Sequence, residues 1–280
     1  MSEPCRDTAG HVLERPVVWS RRNGPWRRVS TVWIGAAPGN AGGRGTGDLG
    51  AHGTRIPFGG DVAGANLEVL LGSIGLTRNE TFIVAALNQL PAVGGGEPRP
   101  AEILAPIGDF SNSLQLLRET ILAFGPDLLI ALGNIAVRAT LAATHVSERP
   151  RLPGPGSLSR VGLERNRLRK LDGDLEPDAT FRTEWARLWD ESPLPHLLWT
   201  THPSAQNMSP YAGEETRFHA RMIETRDAVR AAAARIFGQR SIPRRRADLP
   251  ENGIYALPEW RDRIAPRLSN MDRRWREKGV

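Results

Sequence analysis

The chain has 280 residues, 40% of them hydrophobic and 24% charged, which is room for one α/β domain with extensions or at most two small domains. No apolar run approaches the ~18 residues of a membrane-crossing helix. The first thirty residues interleave Glu3, Arg6, Asp7, Glu14, Arg15, Arg21 and Arg22 with single apolar residues rather than forming a secretory leader, so a cytoplasmic protein is expected. Cys5 is the one cysteine, which excludes an internal disulfide, a Cys-ligated zinc site and a four-Cys iron–sulfur cluster. The net charge is +6, nearly all of its positive side arginine, and residues 239–280 alone hold eleven Arg/Lys against six Asp/Glu. That tail can attract a polyanion, or be a solvated tail with no partner.

Four short apolar runs each lead into a helical pattern. Thr31–Ala36 is followed, after a long Gly-rich loop, by Gly64–Ile74 with apolar residues three and four apart. Thr81–Leu87 precedes a Gly/Pro loop and then Ser111–Phe124; Asp127–Leu132 is entered from Gly125-Pro126 and followed at once by Asn134–Ala143; His196–Thr201 precedes the long pattern Glu214–Phe237. Continuous apolar strands between amphipathic helices indicate strands buried on both faces. The reading is a three-layer α/β/α sandwich around a central four-stranded parallel sheet. It divides the chain into an N-terminal extension, 1–29, an α/β domain, 30–237, and a basic tail, 238–280. Residues 145–192, with nine basic and nine acidic side chains, form an insertion before the last strand, helical around 163–171 and 183–189.

In such a sheet ligands bind beyond the carboxyl ends of the strands. The loop after the first strand starts Gly35-Ala36-Ala37-Pro38-Gly39 and closes in Pro57-Phe58-Gly59-Gly60-Asp61-Val62-Ala63-Gly64. The second strand runs into Asn88-Gln89-Leu90-Pro91, the third into Gly133, the fourth into His202-Pro203-Ser204-Ala205-Gln206-Asn207. Glycines there let backbone N–H groups approach a ligand. No Gly-Lys-Ser/Thr follows, so this is not a phosphate-binding loop of nucleotide triphosphatases.

Taken together, Gly35-x-Ala37-Pro38-Gly39, Phe58-x-Gly60-Asp61-x-Ala63-Gly64, Ile130-Ala131-Leu132-Gly133 and Thr201-His202-Pro203-Ser204-x-x-Asn207 resemble the uracil-DNA glycosylase superfamily over residues 30–237. The likeness is nearest to its fourth and fifth, thermophile-type families. It departs from them in lacking their four cluster-binding cysteines, in having Ala36 where the fourth family has a polar residue, and in the length of the loop between Gly39 and Phe58. The register of the uracil-reading asparagine falls on Ala85, with Asn88 the nearest asparagine.

The resemblance implies a DNA-repair hydrolase that removes uracil or another deaminated base, working as a monomer with no metal or redox cofactor. Its parts suit that chemistry. A base must leave the stack, lie against an aromatic face and be read on its edge. Breaking the glycosidic bond builds positive charge on the sugar and negative charge on the base O2. Asp61 is the expected anion or water-holder and His202 the donor to O2, making these the catalytic pair. Gly35, Ala37, Pro38, Gly39, Phe58, Asn88, Ser204 and Asn207 line the substrate site, and Met208 is the expected wedge into the vacated stack. Simpler roles stand beside these: Phe58 as a core aromatic, Asp61 as a helix N-cap, Asn88 as a turn cap. His52 is a reserve for the catalytic group, and Arg44 and Arg55 are phosphate contacts of low specificity. Two rival readings are a catalytically silent nucleic-acid-binding module of the same fold and a hydrolase of a small nucleotide-like substrate.

Overall fold

The computed structural model describes residues 29–39, 58, 62–87, 91, 97–107, 110–145, 152–190, 192–209, 216–238 and 242. Parallel strands β1 (Thr31–Gly35), β2 (Phe82–Ala85), β3 (Leu128–Leu132) and β5 (His196–Thr200) form the sheet's body. Main helices are α1 (Val62–Ser73), α3 (Ser113–Phe124), α4 (Asn134–Thr144), α6 (Ala179–Trp189) and α7 (Arg217–Phe237), with short α2 (Pro100–Leu104) and α5 (Pro155–Arg160) between them. None of the described helices is long and apolar enough to cross a membrane.

Side chains alternate across each strand and both faces are apolar. Val32 and Ile34 of β1, with Phe82, Val84, Leu129, Ala131 and Leu197, pack against α3, α4 and α6. Trp33, Ile83, Leu128, Ile130, Leu132 and Leu198 pack on the opposite face against α1 and α7. The expected three layers are therefore present. Helix ends follow their sequence signals: the Asn112 side chain accepts from Gln115 N–H at 2.9 Å to start α3, and Gly125 at φ 48° ends it.

The sheet departs from expectation in one respect. Among the described residues it has five strands, in the order β2-β1-β3-β5-β4, because β4 (Leu168–Lys170) adds antiparallel to β5. This lies inside the stretch 163–171 that the sequence pattern assigned to a helix. Its three residues are too few to show an alternation, and Arg169 and Lys170 are the charged residues that blunt an exposed edge strand. Within 145–192, α6 agrees with the helical pattern at 183–189, and its N-cap Asp178 accepts from Phe181 N–H at 2.7 Å.

The carboxyl ends of β1, β3 and β5 lie side by side, since β1 pairs β3 and β3 pairs β5 in register. That brings Gly35, Gly133 and Thr201-His202 to one edge of the sheet.

Candidate active site

Two glycines shape this edge. At Gly35 an added Cβ would lie 2.8 and 2.9 Å from the Phe58 ring, closer than packed carbons approach, so the ring rests directly on the Gly35 backbone. At Gly133, φ is +92° and a Cβ would lie 3.2 Å from the His202 Cβ. Gly133 N–H donates to the Thr200 carbonyl at 2.8 Å, tying the start of α4 to the strand that delivers His202. The Phe58 and His202 rings consequently meet, with centroids 5.6 Å apart and planes tilted by 37°.

Phe58 is half-buried, in a left-handed backbone conformation (φ 55°), which for a bulky residue needs support from its surroundings. Arg78, only 2% exposed, donates from Nη2 to the Phe58 carbonyl at 3.1 Å and pairs through Nε with Glu68 of α1. The backbone of Phe58 is thus held by a buried cation.

The loop after β5 is braced from within and from α1. Ser204 N–H donates to His202 Nδ1 at 3.2 Å. Asn207 Nδ2 donates to the His202 carbonyl at 3.1 Å and to Ser204 Oγ at 2.9 Å. Asn66, fully buried on α1, donates from Nδ2 to the carbonyls of Pro203 and Met208 at 2.7 and 2.9 Å. Because Nδ1 accepts a hydrogen bond, the neutral imidazole carries its proton on Nε2. Burial pushes the His202 pKa down from 6.5 to about 4, so the ring is neutral at pH 7. Nε2–H has no partner among the described residues and is a neutral donor beside an aromatic face.

Gly35, Phe58, His202, Ser204 and Asn207 therefore lie together at this edge of the sheet. Ala37 and Pro38 are half-buried and Gly39 is exposed where β1 ends, with the Ala36 carbonyl accepting from Leu87 N–H at 2.9 Å. Ser204 and Asn207 spend hydrogen bonds on the loop itself, so their observed work is to hold His202. Asp61, Asn88, His52, Arg44 and Arg55 lie outside the described residues; Asp61 is the residue immediately before α1. Met208 overturns its expected role. It is fully buried among Trp33, Leu67 and Met222, because the turn closed by Met208 N–H on the Ser204 carbonyl sends the chain back toward α1 and α7. A side chain in that position has no stack to enter.

The two residues that the sequence reading missed, Asn66 and Arg78, are the buried polar braces. Asn66 carries a faint signal, as a polar residue among the apolar positions of Gly64–Ile74.

The model of the uracil DNA glycosylase superfamily matches residues 24–225. The chain belongs to that superfamily. No curated protein matches it. Membership supports a glycosylase-like function on DNA, and the α/β fold is that of the superfamily. An iron–sulfur cluster of the fourth and fifth families does not fit this chain, since Cys5 is its single thiol. Among the described residues no group of three or more His, Cys, Asp or Glu is placed to hold a metal ion.

Proposed function

We propose that this superfamily member is a uracil-DNA glycosylase, a monomeric repair hydrolase of the cytoplasm that excises uracil, or another deaminated base, turned out of DNA. The observation that carries the reading is the neutral His202 imidazole, with Nδ1 occupied and Nε2–H without a partner among the described residues, beside Phe58. Such a donor suits a leaving base whose O2 gathers negative charge as the C1′–N1 bond breaks. A neutral N–H strengthens its hydrogen bond as that charge develops and gives up no proton, whereas an imidazolium would bind the ground state tightly as well.

In this reading Phe58 stacks on the extruded base, and Gly35 sets the depth at which the ring stands. The electron pair of the broken bond leaves with the base, water adds to C1′ and loses one proton, and the base anion gains one. Asp61, carried over from the family motif, stabilises the sugar cation or holds the water. Asn88 reads the edge of the base, and Ala37, Pro38 and Gly39 border it.

The test is single-turnover excision by the full chain on duplex and single-stranded oligonucleotides carrying one uracil, hypoxanthine or xanthine, read as strand breaks at abasic sites after alkali. Product from the uracil strand is expected, reduced by roughly 10²–10³ in Asp61→Asn, which can still cap a helix but has lost its charge. DNA binding with no product on any base would hand the site to the silent binding module.

A further inference from the structure

The nine-and-nine charge balance of 145–192 conceals a segregation. Between 160 and 170 stand Arg160, Arg165, Arg167, Arg169 and Lys170 against Glu164 alone, and the acids gather after it from Asp172 onward. The fold carries this basic segment to the edge of the site. β4 runs antiparallel to β5, so the turn before it lies at the carboxyl end of β5, where the His202 loop begins. Asn166 N–H donates to the Trp199 carbonyl at 2.7 Å, extending the pairing past the strand, and the Arg165 guanidinium lies over the Trp199 ring, 5.4 Å from its centre. Trp199 is three residues from His202, and neighbouring strands are about 4.8 Å apart. Arg169 donates from Nε to the Gly162 carbonyl at 3.1 Å and fixes the turn.

A second element contributes to the same place. Asn166 Nδ2 donates to Glu224 of α7 at 2.8 Å, and Arg221, three residues before Glu224, shares that helix face one turn nearer the site. Ser209 N–H, donating to the Phe218 carbonyl at 3.2 Å, joins the end of the His202 loop to this first part of α7. Arg165, Arg167 and Arg221 are exposed. Arg165 and Arg221 have no carboxylate partner among the described residues. Arg167 pairs at 3.1 Å with Glu164, both more than half exposed, and such a pair yields readily to a phosphate.

We infer that Arg165, Arg167 and Arg221 form a phosphate-binding edge that grips the DNA backbone beside the His202 pocket. This rests on the glycosylase reading for its partner but not for its geometry. The edge contacts phosphates and not bases, so it anchors substrate without entering the chemical step.

The experiment uses the full chain with all three arginines changed to glutamine. Its control loses the same charge elsewhere, at exposed Arg187, Arg230 and Arg235. Arg235 lies near the amino end of β5, where it lowers the pKa of His196 together with burial, the largest cause, and Lys170. Binding of a fluorescent uracil-containing duplex is titrated between low and moderate salt, and excision is measured at saturating enzyme. Each phosphate contact contributes roughly 0.9 to the slope of log K against log salt, so the triple variant should lose about 2–3 from that slope. Affinity at moderate salt should fall at least tenfold, excision from the saturated complex should stay within twofold, and the control should retain the wild-type slope. A slope equal to wild type in the triple variant, or an equal loss in the control, refutes the edge while wild-type excision leaves the glycosylase reading standing. Wild-type binding that loses its salt slope with the three arginines, but without excision, sustains the edge and refutes the enzyme. Absence of DNA binding by wild type overturns both.

Discussion

The neutral state of His202 makes a prediction that ordinary histidine chemistry does not. With its pKa lowered to about 4 by burial, fewer than roughly one ring in a hundred is protonated at pH 7. If Nε2–H of the neutral ring is the donor to the departing O2, single-turnover excision should be flat from pH 8 to about 5 and reach half its plateau near 4. An imidazolium acid with the usual pKa of about 6.5 would instead give a rate that rises as pH falls through that value. The assay is rate against pH at saturating enzyme, on wild type and on Asp61→Asn; the acid limb should persist in the variant if the ring causes it. His202→Ala removes one preorganised donor and should lower the plateau by roughly 10²–10³, about 3–4 kcal/mol, with little change in DNA affinity. An inflexion near 6.5, or excision within threefold of wild type in His202→Ala, would refute the reasoning.

Gly35→Ala places a methyl 2.8–2.9 Å from the Phe58 ring, which must retreat by roughly 1 Å; excision should fall ~10²-fold and stability by about 1–3 kcal/mol in urea titration. Asn66→Ala leaves the Pro203 and Met208 carbonyls without their buried donor and should cost about 2–4 kcal/mol; a loss below ~0.5 kcal/mol would show the brace to be idle. Arg78→Met strands Glu68 and the Phe58 carbonyl, for a loss of about 3 kcal/mol, and excision should drop further than Glu68→Gln makes it drop, since only the first substitution releases Phe58. Stability should also depend on pH through His202. Its folded pKa of about 4 lies below the unfolded value of 6.5, so the unfolded chain takes up the proton first. Unfolding free energy is then unaffected above about pH 6.5 and declines as pH falls, by at most ~3 kcal/mol near pH 4, an amount discounted by the ring's partial exposure. Denaturant titrations at pH 7 and 4.5 should differ less in His202→Gln than in wild type.

Strands β1, β2, β3 and β5 were legible in the sequence because burial on both faces leaves an uninterrupted apolar run, a signal that neighbouring helices cannot counterfeit at that length. Thr31–Gly35 and Leu128–Leu132 fall within one residue of the apolar runs Thr31–Ala36 and Asp127–Leu132. The edge strand β4 was not legible for the opposite reason. An edge needs charge on its open side, so Leu168-Arg169-Lys170 shows no apolar run, and the spacing of Leu163, Leu168 and Leu171 imitates a helix. Its pairing is imposed by β5, whose partner residues Leu198, Leu197 and His196 lie further along the chain, not by any preference of its own.

The site divides along a similar line. Phe58 and His202 could be singled out as candidates because each is a ring side chain in a glycine- or proline-bearing loop at the carboxyl edge of the sheet, and Gly35 because it ends β1 there. Met208 was misread through the same reasoning: an apolar residue in a polar loop has two possible destinations, a ligand or the core. Which one it takes is set by the turn from Ser204 and by Asn66 drawing the Met208 carbonyl onto α1, neither of which has a sequence period. Asn66 and Arg78 were hidden because a buried brace is defined by its partners. An asparagine on an amphipathic helix is ordinary until two carbonyls from a loop 137 and 142 residues away end on its amide. Those bonds cost little to form once α1 and α7 pack on the sheet, and much to leave unmade, because the carbonyls they satisfy are already out of reach of water. The positioning of His202 is thus a consequence of the core closing beneath it, so the donor geometry and the stability of the α1 face cannot be varied independently.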